Sequence, residues 1–426
     1  METMERIKAL LKEAGVEDYS VYGVNERTAE LFFVKKQLDT RRIKDVEKFY
    51  VNVFRTAEAE GKRMRASTNC MVLASMTDDE IMEALRGAYF AAQFAMNPYY
   101  DLPDPVAAPI IEKKGALAER LPEECAGEMA EALFKADNVE GAFINSAEVF
   151  IIKKRIHFIS SNGSDVSWTE AKAKGEYVVQ AKEPEDVEMF DQFGFDELET
   201  EALTKQIAEA LSFVKDRARA ERVLKSGKYD LILTGKNAAE VMSFYAYRSA
   251  AAMVFPGYST WKVGDDVQGE TEGERLELSL KATAPYSTEG IPMKDRKLVE
   301  NGFLKLTHGG NRFCRYLGVE PTGDYDKISC ENAGTLSFGD MKKTPCLWAV
   351  TFSDFQMDTF TGHFGGEIRL AYLIEDGKAT PVTGGSVNGS ILEAESDLAF
   401  STDRYTCDVY EGPYAMKLKG VSVAGE

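Results

Sequence analysis

The stretch that most constrains the fold runs from Tyr229 to Phe255. A short apolar strand, Leu231–Ile232–Leu233, breaks at Gly235 and leads into a helical pattern. Asn237 stands at an N-cap position with Glu240 three residues on, the spacing of a capping box. The pattern predicts a helix from Ala238 to Val254, stopped by Pro256 and carrying Val241, Met242, Phe244, Tyr245, Met253 and Val254. A helix apolar on most faces belongs inside a structure, so the rest of the chain has to cover it. Its polar interruptions are Ser243, Tyr247 and Arg248, none of them a good metal ligand.

Before this stretch the pattern is mixed. A first helix over Glu5–Ala14 is followed by strand runs at Tyr19–Val24, Ala29–Val34, Lys48–Thr56 and Lys62–Met71. Thr77 and Glu80 form a capping box that opens a helix reaching Met96. The Pro-, Asp- and Tyr-rich segment Asn97–Pro109 reads as an extended crossing, and Pro122 opens a helix to Ala136. Strands then run through Ala142–Ala181, with Asn162–Gly163 as a hairpin signal. The acidic stretch Glu183–Glu197 reads as a surface loop, and Leu198–Leu224 as a long helix ended by Gly227.

Beyond the central helix the chain is mostly strand and turn, with hairpin signals at Asn301–Gly302 and Asp376–Gly377. The expected fold class is α+β. Residues 1–224 form an N-terminal domain with an antiparallel sheet and helices, and residues 225–426 a β-rich C-terminal domain around the buried helix.

Charge excludes one class of function. The net charge is −19, from 70 acidic and 51 basic residues, and such a field repels nucleic acid. No run of eighteen apolar residues is present, and the N-terminal helix lacks a signal-peptide core, so a cytoplasmic protein off the membrane is expected. The six cysteines show no CxxC pair and read as free thiols.

The chemistry-bearing candidates are few. Cys407, in Arg404–Asp408, needs a base to act as a nucleophile, and a packed thiol is the plainer expectation. His363 lies in a glycine-rich loop, Gly362–Gly366, where it suits a general base, a ligand or a hydrogen-bonded surface residue. The acidic pairs Asp265/Asp266, Glu270/Glu272 and Glu393/Glu395 are expected on solvated faces. Neither Gly309–Gly310 nor Gly365–Gly366 sits in a phosphate-loop pattern.

Four segments in order carry a resemblance. They are Tyr229–Leu233; Thr288–Pro292 with Leu298–Gly302; the glycine-rich run ending in Leu373–Gly377 and Pro381–Val382; and Leu418–Gly425. With these, the chain resembles the TldD/PmbA (TldE) family of metalloprotease-related proteins. The resemblance implies paired subunits. In the TldD-like one, HExxxH on the helix after the strand binds a metal with a Cys near the C-terminus and activates a water. The TldE/PmbA-like one lacks those ligands and helps enclose unfolded peptide.

Laid on this chain, the two His fall on Ser243 and Arg248 and the Glu on Phe244, and no His occurs between His157 and His308. Cys407 lies in roughly the region of the third ligand, but Asp408 follows it where the family carries Gly. His363 stands where the family's glycine-rich segment carries an acidic residue. The resemblance thus implies a non-catalytic subunit with no metal or other cofactor of its own. Its partner would be a TldD-like catalytic homologue or a second copy, and Gly362, His363 and Cys407 are candidates for the peptide chamber. The alternatives are a homodimeric peptide-binding or scaffolding protein, and an enzyme whose chemistry has moved to Cys407 or His363.

Overall fold

Alternating side chains on long strands give the N-terminal half two apolar sheet faces. A computed structural model describes residues 2–394 and 397–425, so Glu395 of the third acidic pair lies outside the described residues. Strands β1 (Asp18–Val34), β2 (Gln37–Ala59), β3 (Lys62–Leu73), β4 (Asn97–Pro98), β5 (Ala142–Ser160), β6 (Asp165–Ala181) and β7 (Val187–Phe195) form one antiparallel sheet. Their order is β4-β3-β2-β1-β5-β6-β7.

Val21 and Ala29 are an even number of residues apart, so they share a face. Helices α1 (Glu2–Glu13) and α2 (Asp78–Ala92) cover that face over Val21, Phe49 and Val51. Further along, beyond the short α3 (Ala116–Glu119), α4 (Pro122–Lys135) and α5 (Thr200–Ala218) cover Ala29, Val149 and Val179. The opposite face carries Tyr22, Ile156, Phe158, Val166 and Trp168, which pack with Tyr286 of the C-terminal half. Each large side chain buried there contributes roughly 1.5–3 kcal/mol to holding the halves together.

Two expectations for this half are corrected. Residues 187–195 of the acidic stretch are a strand, because Met189, Phe193 and Phe195 bury against β6 while Glu188, Phe190 and Gln192 alternate with them at the surface. The helix expected over Leu198–Leu224 is α5, which ends at Ala218, and Gly227 begins a strand instead of ending a helix. The Thr77–Glu80 capping box is present, although α2 stops at Ala92, short of Met96.

The C-terminal half contains β8 (Gly227–Thr234), β9 (Leu278–Lys281), β10 (Arg296–Glu300), β11 (Phe303–Leu304), β12 (Lys327–Cys330), β13 (Cys346–Phe352) and β14 (Gln356–Met357). It continues with β15 (His363–Glu375), β16 (Lys378–Val382), β17 (Ser386–Ser390), β18 (Ala399–Phe400), β19 (Arg404–Thr406), β20 (Tyr410–Pro413) and β21 (Ala415–Ala424). One sheet has the order β11-β10-β9-β12-β20-β19; the other runs β13-β8-β21-β17-β15-β14. Because β13 also pairs with β15, five strands of the second sheet close into a ring. Both predicted hairpins form. Asn301 (φ 49°) with Gly302 (φ 76°), and Asp376 (φ 50°) with Gly377 (φ 74°), supply the two left-handed residues that a tight two-residue turn needs.

The central helix, α6 (Lys236–Ser249), lies between the two sheets and touches β8, β12 and β14. Val241, Met242, Phe244 and Tyr245 join Leu231, Leu278 and Ile328 in one core. Its ends differ from expectation. Gly235, at φ 55°, occupies the N-cap position, and Asn237 sits inside the first turn with Nδ2 donating to the Val350 carbonyl at 3.0 Å. Glu240 turns outward, where Oε1 accepts from the Met357 N–H at 3.4 Å. The helix also breaks at Ala250 (ψ 137°) before a separate turn, α7 (Ala251–Val254).

Candidate functional site

The break in the helix is held by side chains. Ser249 Oγ donates to the carbonyl of Tyr245 at 2.7 Å, and His308 Nε2 bonds the carbonyl of Ala246 at 2.9 Å. The Ala251 N–H then bonds the His308 carbonyl at 2.7 Å, so the chain leaves the helix to pair with the His308 segment. A carbonyl only accepts, so His308 carries its proton on Nε2; Nδ1 is buried without a partner among the described residues.

Burial holds the His308 pKa below 6.5, outweighing the Ala246 hydrogen bond and the nearby Asp324 carboxylate, which push it up. Between the folded value and 6.5 the unfolded chain binds a proton that the native chain does not. Stability from this residue is therefore complete above 6.5 and falls as the pH drops below it. Urea midpoints measured from pH 7.5 to 5 should drop on acidification. In His308→Gln, which keeps a donor for Ala246, the slope should be shallower by up to about 1.4 kcal/mol per pH unit. An unchanged slope would refute the assignment.

Helix α6 carries the three positions singled out by the resemblance. Ser243 is half-buried and its Oγ donates to the Glu240 carbonyl at 2.6 Å. Phe244 is 1% exposed and meets Tyr245 and Trp261 edge-on, with ring centroids 5.5 and 5.6 Å away. Arg248 is half-buried, and its Nη1 donates to the carbonyls of Tyr258 (2.6 Å) and Phe360 (3.2 Å). A divalent metal asks for neutral imidazole, thiolate or carboxylate donors. A hydroxyl already spent on the backbone, a phenyl ring and a guanidinium do not fit one. Among the described residues no group of three or more His, Cys, Asp or Glu side chains is placed to hold a metal ion.

Phe360 links Arg248 to the loop of Gly362 and His363. Asp358 shapes that loop, accepting from the Phe360 N–H at 2.9 Å and from the Thr361 hydroxyl at 2.6 Å. Gly362 is buried at φ 79°, and a Cβ there would press on Leu392 at 3.1 Å. His363 opens β15 as an exposed residue, with Nδ1 3.1 Å from the Thr361 hydroxyl. Cys407, 6% exposed, belongs to the same core as α6 and borders a cleft of about 910 Å³ between the halves, lined by Phe193, Phe195, Phe213, Trp348 and Tyr405. Gly362 and His363 thus lie in the loop that Arg248 of α6 holds through Phe360, and Cys407 borders a cleft that takes in Lys236, where α6 begins.

Sequence reasoning missed a further cavity of about 710 Å³, where Tyr22 and Tyr50 of the sheet, with Tyr100 just beyond β4, face Glu289, Arg312 and Asp324. Burial and the neighbouring Asp324 push the Glu289 carboxyl up, although it accepts from the Asn311 N–H at 2.7 Å. The only signal for it was the Thr288–Pro292 segment itself.

Comparison with known proteins follows the same lines. Residues 226–425 match the family model of the PmbA/TldA metallopeptidase C-terminal domain. A metalloprotease TldD homologue from Buchnera aphidicola is 28% identical over 186 residues, which is 37% of this chain and 37% of that protein's own length. The crystal structure of TldE from Thermococcus kodakarensis superposes with a TM-score of 0.78 at 17% identity, over 99% of this chain and 100% of that one. A proposed modulator of DNA gyrase from Thermotoga maritima gives a TM-score of 0.76 at 17% identity, over 99% of each chain. At such identity the structural likeness speaks for the fold. The C-terminal part of the chain is thus similar to the PmbA/TldD metallopeptidases, and the whole chain shares the fold of TldE.

Proposed function

We propose that this chain is a TldE-like, non-catalytic subunit that pairs with an HExxxH-bearing homologue and helps enclose unfolded peptide. The observation that carries the reading is the chemistry at positions 243, 244 and 248: a hydroxyl bonded to its own helix, a core phenyl ring and a guanidinium held by two carbonyls. The chain shares its whole fold with a protein named TldE. The net charge of −19 speaks against direct contact with DNA, whatever the gyrase-related name of one structural neighbour suggests.

Co-expression with an HExxxH-bearing homologue from the same genome, followed by affinity capture through a tag on this chain, tests the reading. Capture of the homologue is expected, with peptidase activity in the complex and none in this chain alone. Failure to associate would overturn it, as would metal-dependent cleavage by the isolated chain.

A further inference from the structure

Arg248 is a fixed cation without an anion. Its Nη1 is held by the carbonyls of Tyr258 and Phe360, and the guanidinium lies 5.6 Å from the Trp261 ring centre. Among the described residues neither Nε nor Nη2 has a hydrogen-bond partner, and no carboxylate pairs with the group. Nε is closed off from solvent, which leaves Nη2 as the open donor.

Its surroundings are those of a recognition site. Tyr258 (60% exposed) and Phe360 (56% exposed) stand edge-on to each other, with ring centroids 5.7 Å apart, and Tyr247 (56% exposed) precedes Arg248 on the helix. Exposed aromatic rings grouped about an arginine are the composition that dominates binding energy at interfaces. The site is also formed in advance. Asp358 and Gly362 fix the loop that presents Phe360, and Glu240, two turns before Arg248, holds the loop's first residues through Met357. A ligand would not have to order it.

We propose that Arg248, Tyr258 and Phe360 form a binding site for a peptide carboxylate that neighbours an apolar side chain. The guanidinium donates to the carboxylate through Nη2, and the two exposed rings cover the adjacent side chain. A carboxylate of this kind comes either from a peptide's C-terminus or from an Asp or Glu side chain. The proposal deepens the reading of the chain as a peptide-enclosing subunit, yet it concerns this chain alone and needs no partner.

The test uses the isolated full chain and three N-terminally fluorescein-labelled peptides. One is Gly-Gly-Leu-Phe as the free acid, one the same peptide as its C-terminal amide, and one an amide with Glu before Phe. Fluorescence anisotropy follows binding, and the emission of Trp261 under the guanidinium reports occupancy of the site, with Trp261→Phe as its control.

The free acid should bind about tenfold or more tightly than the plain amide, the advantage expected of a hydrogen bond to a charged group. Tight binding of the Glu-containing amide assigns the side-chain carboxylate as a source, and its failure to bind assigns the C-terminus. Arg248→Leu should abolish the preference for the acid. Phe360→Ala removes only an exposed ring and should weaken all binding at an unchanged melting temperature, which covers the case in which Arg248→Leu does not fold. Equal binding of acid and amide by the parent protein, or no binding of any peptide, overturns the proposal. So does an intact preference in Arg248→Leu. These outcomes are independent of capture of the homologue, so either reading can fail without the other.

Discussion

Installing HExxxH by Ser243→His, Phe244→Glu and Arg248→His together is expected to destabilise the protein by several kcal/mol and to yield no peptidase. The largest share comes from Phe244. It is 1% exposed and wedged edge-on between Tyr245 and Trp261. Truncating a buried Phe costs roughly 3–5 kcal/mol. Glu refills part of that space, but brings a carboxylate into an apolar core, and a buried charge without a partner adds its own penalty or takes up a proton. Arg248→His also removes the donor shared by the Tyr258 and Phe360 carbonyls. The candidate third ligand, Cys407, borders a cleft lined by Phe195, Tyr405 and Lys236, the first residue of α6, and not by Ser243 or Arg248. Urea denaturation of the triple variant and of Phe244→Glu alone should show most of the loss already in the single change. A triple variant as stable as the parent, with one bound zinc and measurable peptide cleavage, would falsify this account.

Legibility in the sequence followed how local the determining interactions are. Asn301–Gly302 and Asp376–Gly377 were readable as hairpins because a two-residue turn needs two left-handed residues, and the strands on either side alternate. The Thr77–Glu80 box was readable for the same reason, since both bonds close within three residues.

The ends of α6 were not readable, because they are set from a distance. Asn237 has the chemistry of a cap but spends its amide on Val350, far away in the chain. Ala250 and Ala251 are good helix formers, yet the helix breaks there because the backbone pairs with His308. Residues 187–195 misled through composition, as the acidic residues of Glu183–Glu197 masked the alternation that buries Met189, Phe193 and Phe195 and leaves Glu188, Phe190 and Gln192 outside. Of the candidate site, the residue types at positions 243, 244 and 248 were visible. The setting of Arg248 was not, because its partners are main-chain carbonyls that any residue would supply.

Gly290→Ala is expected to be among the most damaging single changes in the chain, at about 3 kcal/mol or more, because it combines a left-handed backbone with a collision. Gly290 has φ 75°, in a turn closed by its N–H to the Ser287 carbonyl at 3.0 Å. A Cβ there would meet the ring of Phe158, with Cδ1 only 2.6 Å away. Phe158 cannot swing aside, since it is 2% exposed in the cluster with Trp168 and Tyr286 that joins the two halves. The turn would have to lift off the sheet instead, taking with it Glu289 and the wall of the 710 Å³ cavity. Gly257 separates the two effects, because its φ is 82° but no atom lies within 4 Å of the built Cβ. Gly257→Ala should therefore cost only the backbone strain, roughly 1–2 kcal/mol. Gly290→Ala should lose more in urea denaturation and become more sensitive to protease near residues 286–293. Equal losses for the two variants would show that the close approach to Phe158 is not what requires glycine in the Thr288–Pro292 segment.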